Sequence, residues 1–147
     1  MYRAGDLPLN RLVAIKTLQA SNRGNRRAAE RFTAEAQVTA QLQHPSIPAV
    51  HELGTFPDGR PFLAMRLVKG RTLADLPKER PDPSHDRGRF LAMFEQVCHA
   101  VGYAHDHHVI HRDLKPANIM VGAHGEVQVM DWGLAKVLDQ RAEETGT

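Results

Sequence analysis

His111-Arg112-Asp113-Leu114-Lys115-Pro116-Ala117-Asn118 packs an acid, two bases and an amide into eight consecutive residues. Pro116 stiffens the turn. Val109-Ile110 before the stretch and Ile119 to Val121 after it read as short strands. A loop held between two strands presents several polar side chains to one point. Thirteen residues after Asn118 stands Asp131, in Asp131-Trp132-Gly133, at the end of a further strand from Val127 to Met130, with a turn at Gly125. A carboxylate and an amide oxygen facing each other across a hairpin suit Mg2+, which takes a few hard oxygens and keeps its waters and substrate phosphates.

Working outward, the preceding helix is expected from Arg87 to about His108. Phe90, Phe94, Val97, Val101 and Ala104 draw one apolar stripe along it. Cys98 falls within this pattern and reads as a buried, inert thiol. Lys78 to Asp86 holds two prolines and many charges and reads as an exposed loop. Thr72, with Asp75 three residues on, reads as the N-cap of a short helix. Ile47 to Leu53 and Arg60 to Val68 read as two strands joined by Gly54-Thr55-Phe56-Pro57-Asp58-Gly59, a hairpin turn. A helix from about Asn25 to Gln43 is rich in Ala, Glu, Gln and Arg and is stopped by His44-Pro45. Arg11 to Leu18 is the first segment with strand character, and the tail from Asp139 to Thr147 reads as polar and mobile. Strand, helix, several strands, helix and short strands make an α+β chain, a small antiparallel sheet with one helix followed by a helical part.

Composition bounds the function. The chain has 147 residues, 41% of them apolar, enough for one modest core. Nineteen Lys and Arg against 17 Asp and Glu leave a net charge of +2, which argues against a dedicated nucleic-acid binder. One cysteine excludes a disulfide framework and any cysteine-based zinc module. No apolar run approaches the roughly 18–20 residues that span a bilayer, and Met1 to Asp6 has no apolar signal region. The expected compartment for this segment is the cytoplasm, although a longer parent could be membrane-anchored. His105, His107, His108 and His111 invite a metal site, but neither cysteine nor a carboxylate cluster completes a zinc set. Arg23, Arg26, Arg27 and Arg31 form a basic patch read as a solvated face.

With these motifs in place, the chain resembles the eukaryotic-type (Hanks-type) serine/threonine protein kinases, in wording closest to bacterial members. Val13-Ala14-Ile15-Lys16 is similar to the strand bearing the phosphate-binding lysine. Glu35, 19 residues on, stands where the family places that lysine's ion-pair partner. His111 to Asn118 is similar to the catalytic loop, and Asp131-Trp132-Gly133 stands where the family usually has Asp-Phe-Gly. The resemblance implies a kinase-like fold, partial here: residues 1–68 as an N-lobe without its glycine-rich loop, and 69–147 as the hinge and the start of a C-lobe.

The resemblance also assigns roles. Lys16, fixed by Glu35, would hold the α- and β-phosphates of ATP. Asp113 would accept or orient the substrate hydroxyl, Lys115 would stand near the γ-phosphate, and Asn118 and Asp131 would hold Mg2+. Adenine would lie against Ala14 and Met120, with Met65 screening the back pocket and the Arg66 carbonyl and Val68 amide as its backbone partners. Arg112 marks the subgroup often controlled by phosphorylation of the activation segment, which Thr145-Gly146-Thr147 resembles. Trp132 is expected to keep the packing role of the usual phenylalanine. His111 is expected to pack within the catalytic loop.

The implied activity is ATP-dependent phosphoryl transfer to serine or threonine hydroxyls of a protein substrate, with no nucleic-acid partner. A complete kinase domain would be nearly twice as long, so the chain reads as a fragment with weak or no activity by itself. The alternative from another class is an inactive nucleotide-binding or protein-interaction remnant. Small-molecule phosphotransfer on a related fold fits the wording of the loop less well.

Overall fold

The structure, a computed structural model, describes residues 1–138. Expectations for the tail, including Thr145-Gly146-Thr147, lie outside the described residues.

The first unit is a four-stranded antiparallel sheet with one helix against it. Its strands are β1 (Tyr2–Asp6), β2 (Arg11–Thr17), β3 (Val50–Thr55) and β4 (Pro61–Arg66), in the order β1-β2-β4-β3, with helix α1 (Arg26–Gln41) between β2 and β3. Asn25 caps α1, its Oδ1 accepting from the Ala28 N–H at 3.2 Å. Helical spacing puts Phe32 and Ala36 on one face, where they pack with Ala14, Leu63 and Met65 of the sheet into a small apolar core. The register Ala14↔Met65 and Lys16↔Leu63 sends the Ala14 and Lys16 side chains of β2 to the same face.

The second unit is built around α2 (Arg87–Asp106) and short strands: β5 (Arg71–Thr72), β6 (Val109–Ile110), β7 (Ile119–Val121), β8 (Val127–Val129) and β9 (Lys136–Val137). These form the sheet β5-β7-β8 and the pair β6-β9. Met93, Val97, Ala100 and Ala104 of α2 pack onto Val109, Ile119, Val127 and Val129. The loop 42–48 joins the two units by sinking Leu42 and Ile47 into this core. Its carbonyls also receive hydrogen bonds from β8, Val129 N–H to Ser46 O at 2.8 Å and Gln128 Nε2 to Pro45 O at 2.5 Å.

Several expectations need correction. β1 carried no strand signal because its five residues, Tyr-Arg-Ala-Gly-Asp, form an exposed edge with no buried side chain. Thr72 does pair with Asp75, each bonding the other, but it lies in β5, and the helical residues that follow, Leu76–Glu79, are 3₁₀. The period of α2 is as expected, yet its inward face is centred on Met93 and Ala100. Phe90 and Val101 flank that face, while Phe94 is 62% exposed. The helix is apolar over a broad arc, so spacing alone does not fix its phase. Cys98 is exposed for the same reason, standing one position round from Val97 on the solvent side.

Candidate active site

The loop from His111 to Asn118 is organised by one buried imidazole. The Asp113 backbone N–H donates to His111 Nδ1 at 3.1 Å, so that nitrogen carries the lone pair. Nε2 therefore bears the hydrogen and donates to Met130 O at 2.8 Å. His111 thus ties the loop to the end of β8, and its ring meets the edge of Trp132 at 4.6 Å. Arg112 takes a left-handed conformation, φ 66°, and its Nε donates to Leu134 O at 2.6 Å.

Asn118 and Asp113 are bonded directly. Asn118 Nδ2 donates to Asp113 O at 2.9 Å and to Asp113 Oδ2 at 3.1 Å. The other carboxylate oxygen, Oδ1, faces Lys115 Nζ at 3.3 Å. The amide nitrogen of Asn118 is thereby committed, which leaves Oδ1 as its remaining polar atom. Gly125, at φ +80°, turns the β7-β8 hairpin so that Met130 N–H donates to Asn118 O at 2.7 Å. Asp131 follows at once, in the left-handed region at φ 57°.

Three charged groups, from β2, α1 and the turn after β8, meet at Gly133. A methyl group at this position would lie 3.2 Å from Asp131 Oδ1, 3.3 Å from Lys16 Nζ and 3.6 Å from Glu35 Oε2. Among the described residues, Lys16 and Glu35 are not closed into a direct ion pair; they face each other across this gap. The gap opens into a cavity of about 210 Å3 walled by Phe32, Met65, Met130 and Trp132 together with the three charged side chains. Of the residues expected around adenine, Met65 lines this cavity, whereas Ala14, Arg66, Val68 and Met120 lie outside it. Ala14 is buried beside Met65, and the Arg66 N–H donates to Ala49 O at 2.8 Å. Met120 is half-buried on β7, opposite Gln128. Among the described residues no group of three or more His, Cys, Asp or Glu is placed to hold a metal, so any ion here needs further oxygens from its ligand and water.

Burial raises the Glu35 carboxyl above its ordinary 4.5, against the opposing pull of Lys16 and Arg31, with Asp131 adding to the rise. A raised carboxyl keeps its proton to higher pH in the folded chain than in the unfolded one. Its contribution to stability is therefore full below 4.5 and is lost as pH climbs through the folded value. Glu35→Gln cannot ionise. The variant's melting temperature minus the parent's is expected to rise as pH increases from 4.5 and then level off. Thermal melts from about pH 4 to about pH 8 check this, and a flat difference would contradict a raised, half-buried Glu35 carboxyl.

A family model described as "Protein kinase domain" matches residues 1–147. The chain belongs to the protein kinase family. A probable serine/threonine-protein kinase of Corynebacterium efficiens is 40% identical over 142 residues, covering 95% of this chain and 21% of that protein. The serine/threonine-protein kinase PknB of Mycolicibacterium smegmatis is 40% identical over 141 residues, 94% of this chain and 22% of its own length. PknD of Protochlamydia amoebophila is 37% identical over 154 aligned positions, 98% of this chain and 16% of that protein. This kinase chain thus spans about a fifth of the length of the curated relatives it matches. Its α+β architecture is part of the protein-kinase fold. Protein kinases use ATP with Mg2+.

What residue-by-residue reading missed is the second layer of the site. Packing of Trp132 and His111 is expected from the resemblance, whereas the bond from His111 to Met130 O and the empty position at Gly133 join segments distant in sequence and leave no local signature.

Proposed function

We propose that this chain carries the ATP-binding and phosphoryl-transfer core of a serine/threonine protein kinase, with its lobes divided near residues 68 and 69. One observation carries the reading: Lys16, Glu35 and Asp131 converge on Gly133, while Asp113, Lys115 and Asn118 form a second bonded cluster tied to the same hairpin end. Two such clusters, one cationic and carboxylate, one acid-amide-lysine, are what positioning and charge stabilisation of a transferring phosphoryl group require.

In this reading Lys16 takes the α- and β-phosphates, and Glu35 across the gap aims its ammonium. The serine or threonine hydroxyl oxygen bonds to the γ-phosphorus. The bridging oxygen leaves with its electron pair on ADP, and the hydroxyl proton passes to Asp113. Lys115, beside Asp113 Oδ1, stands where charge spreads over the γ-oxygens. Asn118 Oδ1 and the Asp131 carboxylate are both hard oxygens, and the commitment of Asn118 Nδ2 to Asp113 leaves the amide oxygen over for a cation. Mg2+, when bound, supplies charge neutralisation between the phosphates. Ala14, Met120 and the Arg66–Val68 backbone are assigned to adenine on family resemblance. No helix of the described residues is long and apolar enough to cross a membrane, and we place this segment in the cytoplasm, where ATP is at hand.

Titrating the chain with ATP, with and without Mg2+, while following its melting temperature tests the reading. The parent is expected to be stabilised in a saturable way. Lys16→Met is expected to weaken Mg-ATP binding by roughly 10- to 100-fold, the size of a hydrogen bond to a charged group. No shift of the parent at millimolar ATP would overturn nucleotide binding.

A further inference from the structure

The turn that joins the two units contains one titratable side chain, and that side chain holds the turn's inner amide. His44, Pro45, Ser46 and Ile47 form the turn, closed by the Ile47 N–H donating to His44 O at 3.0 Å. Inside it, the Ser46 N–H donates to His44 Nδ1 at 3.0 Å. An imidazole nitrogen accepts only while it carries no proton. Ser46 is 6% exposed, so water cannot replace this acceptor unless the turn opens. The same turn holds the first unit onto the second. Ser46 O receives the Val129 N–H, Pro45 O receives Gln128 Nε2, and Ile47 is buried in the core around α2.

The His44 ring leans on Tyr103 of α2, centroids 5.2 Å apart, and Tyr103 leans on His107 at 4.2 Å. Tyr103 Oη also accepts the Gln43 N–H at 3.0 Å. The titratable groups facing His44 therefore come from α2: His99, which is paired with Glu95 at 3.7 Å, Tyr103 and, behind its ring, His107. β8 and the last turn of α1, residues 38–41, carry no charged residue. Burial, reinforced by His99, holds the His44 imidazole below its ordinary 6.5.

We propose that His44 is a pH-sensitive pin in this joint: neutral, it closes the turn on the Ser46 N–H and keeps the turn on β8; protonated, it releases both. The pin bears on the candidate site because Lys16 and Glu35 stand on one side of the joint and Asp131, two residues after Val129, stands on the other. That consequence rests on the functional reading above.

A histidine held neutral in the folded chain and free to charge in the unfolded one contributes stability that is full above 6.5 and is lost as pH falls through the folded value. His44→Asn separates accepting from titrating. An asparagine Oδ1 accepts the N–H two residues on, as in an Asx turn, and takes up no proton. The parent's melting temperature relative to this variant is expected to be constant above about pH 7 and to fall by roughly 2–6 °C by about pH 5. A difference that stays constant throughout would overturn the pin. The chain has nine histidines, and the imidazole proton signal missing from His44→Asn identifies His44 in the parent. Its midpoint is expected below 6.5, and a midpoint above that value would overturn the preference for the neutral ring. If His44→Asn does not melt cooperatively, the Ser46 amide signal of the parent decides instead. It is expected to shift with a midpoint below 6.5, and an amide unmoved by pH would overturn the bond. Mg-ATP affinity is read as the ratio of parent to variant, so that titration of the nucleotide cancels. This ratio is expected to fall roughly fivefold over the same range. A constant ratio beside a moving melting difference would uphold the pin and overturn its coupling to the site. A parent that binds no Mg-ATP at any pH removes the functional reading, and the melts then decide the pin alone.

Discussion

Asp113→Asn is expected to leave Mg-ATP binding within about twofold of the parent and to lower phosphoryl transfer by roughly 100- to 10,000-fold, the range for loss of a positioned proton acceptor. The separation follows from the contacts of Asp113. Its Oδ2 accepts from Asn118 Nδ2, a bond that the oxygen of an asparagine side chain can still accept, so the loop and the Asn118 orientation should survive. Its Oδ1 faces Lys115 at 3.3 Å, and an amide there loses both the attraction and the ability to take a hydroxyl proton. Transfer of labelled γ-phosphoryl to a generic protein substrate, read beside the ATP melting titration, measures the two effects separately. Transfer that persists in Asp113→Asn would remove Asp113 from the chemistry. A parent that binds ATP and transfers nothing would favour the non-catalytic remnant over the enzyme.

The legible parts of this chain are those decided by neighbours in sequence. α1 announces itself through Asn25, its run of good helix formers and the Pro45 that stops the chain from continuing, and it runs from Arg26 to Gln41. The β3-β4 hairpin is written in Pro57, Asp58 and Gly59, where Arg60 folds back onto Asp58 through its backbone N–H at 3.2 Å and its Nε at 2.7 Å. The Asp113–Lys115–Asn118 cluster is legible for the same reason: its three side chains lie within six residues, and Pro116 opens the 3₁₀ turn that carries Asn118.

What was not legible depends on a third dimension. Nothing in the spacing of Lys16, Glu35 and Asp131 says that they meet; resemblance supplied that expectation, and the gap at Gly133 supplies the geometry. The exposure of Cys98 and Phe94 turned on the phase of α2, which is set by what covers Met93 and Ala100 rather than by the helix's own period. The same holds for Trp132: its large apolar ring predicts packing, whereas its bond to Val129 O requires knowing that the chain doubles back at Asp131.

Gly70→Ala is expected to destabilise the chain severely through a single added methyl group. Gly70 precedes β5 with φ +152°, in a region L-residues rarely occupy. An added Cβ would fall 2.2 Å from Val121 O and 2.7 Å from Val121 C, both backbone atoms of β7. No side chain can rotate away to relieve this, so β5 and β7 must separate at the Arg71↔Val121 pairing. β7 cannot retreat either, because its other edge is paired to β8, where Val127 and Val129 are 1% and 0% exposed. Overpacking against fixed backbone, together with the forced φ, is expected to cost about 3 kcal/mol or more. In a domain of this size that lowers the melting temperature by roughly 6–12 °C. Gly102→Ala is the internal control: it lies in α2 with open space where the methyl would go, and should stabilise by about 0.5–1 kcal/mol. Melts of the two variants side by side separate a generic glycine effect from the β7 collision. A Gly70→Ala chain melting with the parent would show that β5 does not pack on β7 as described.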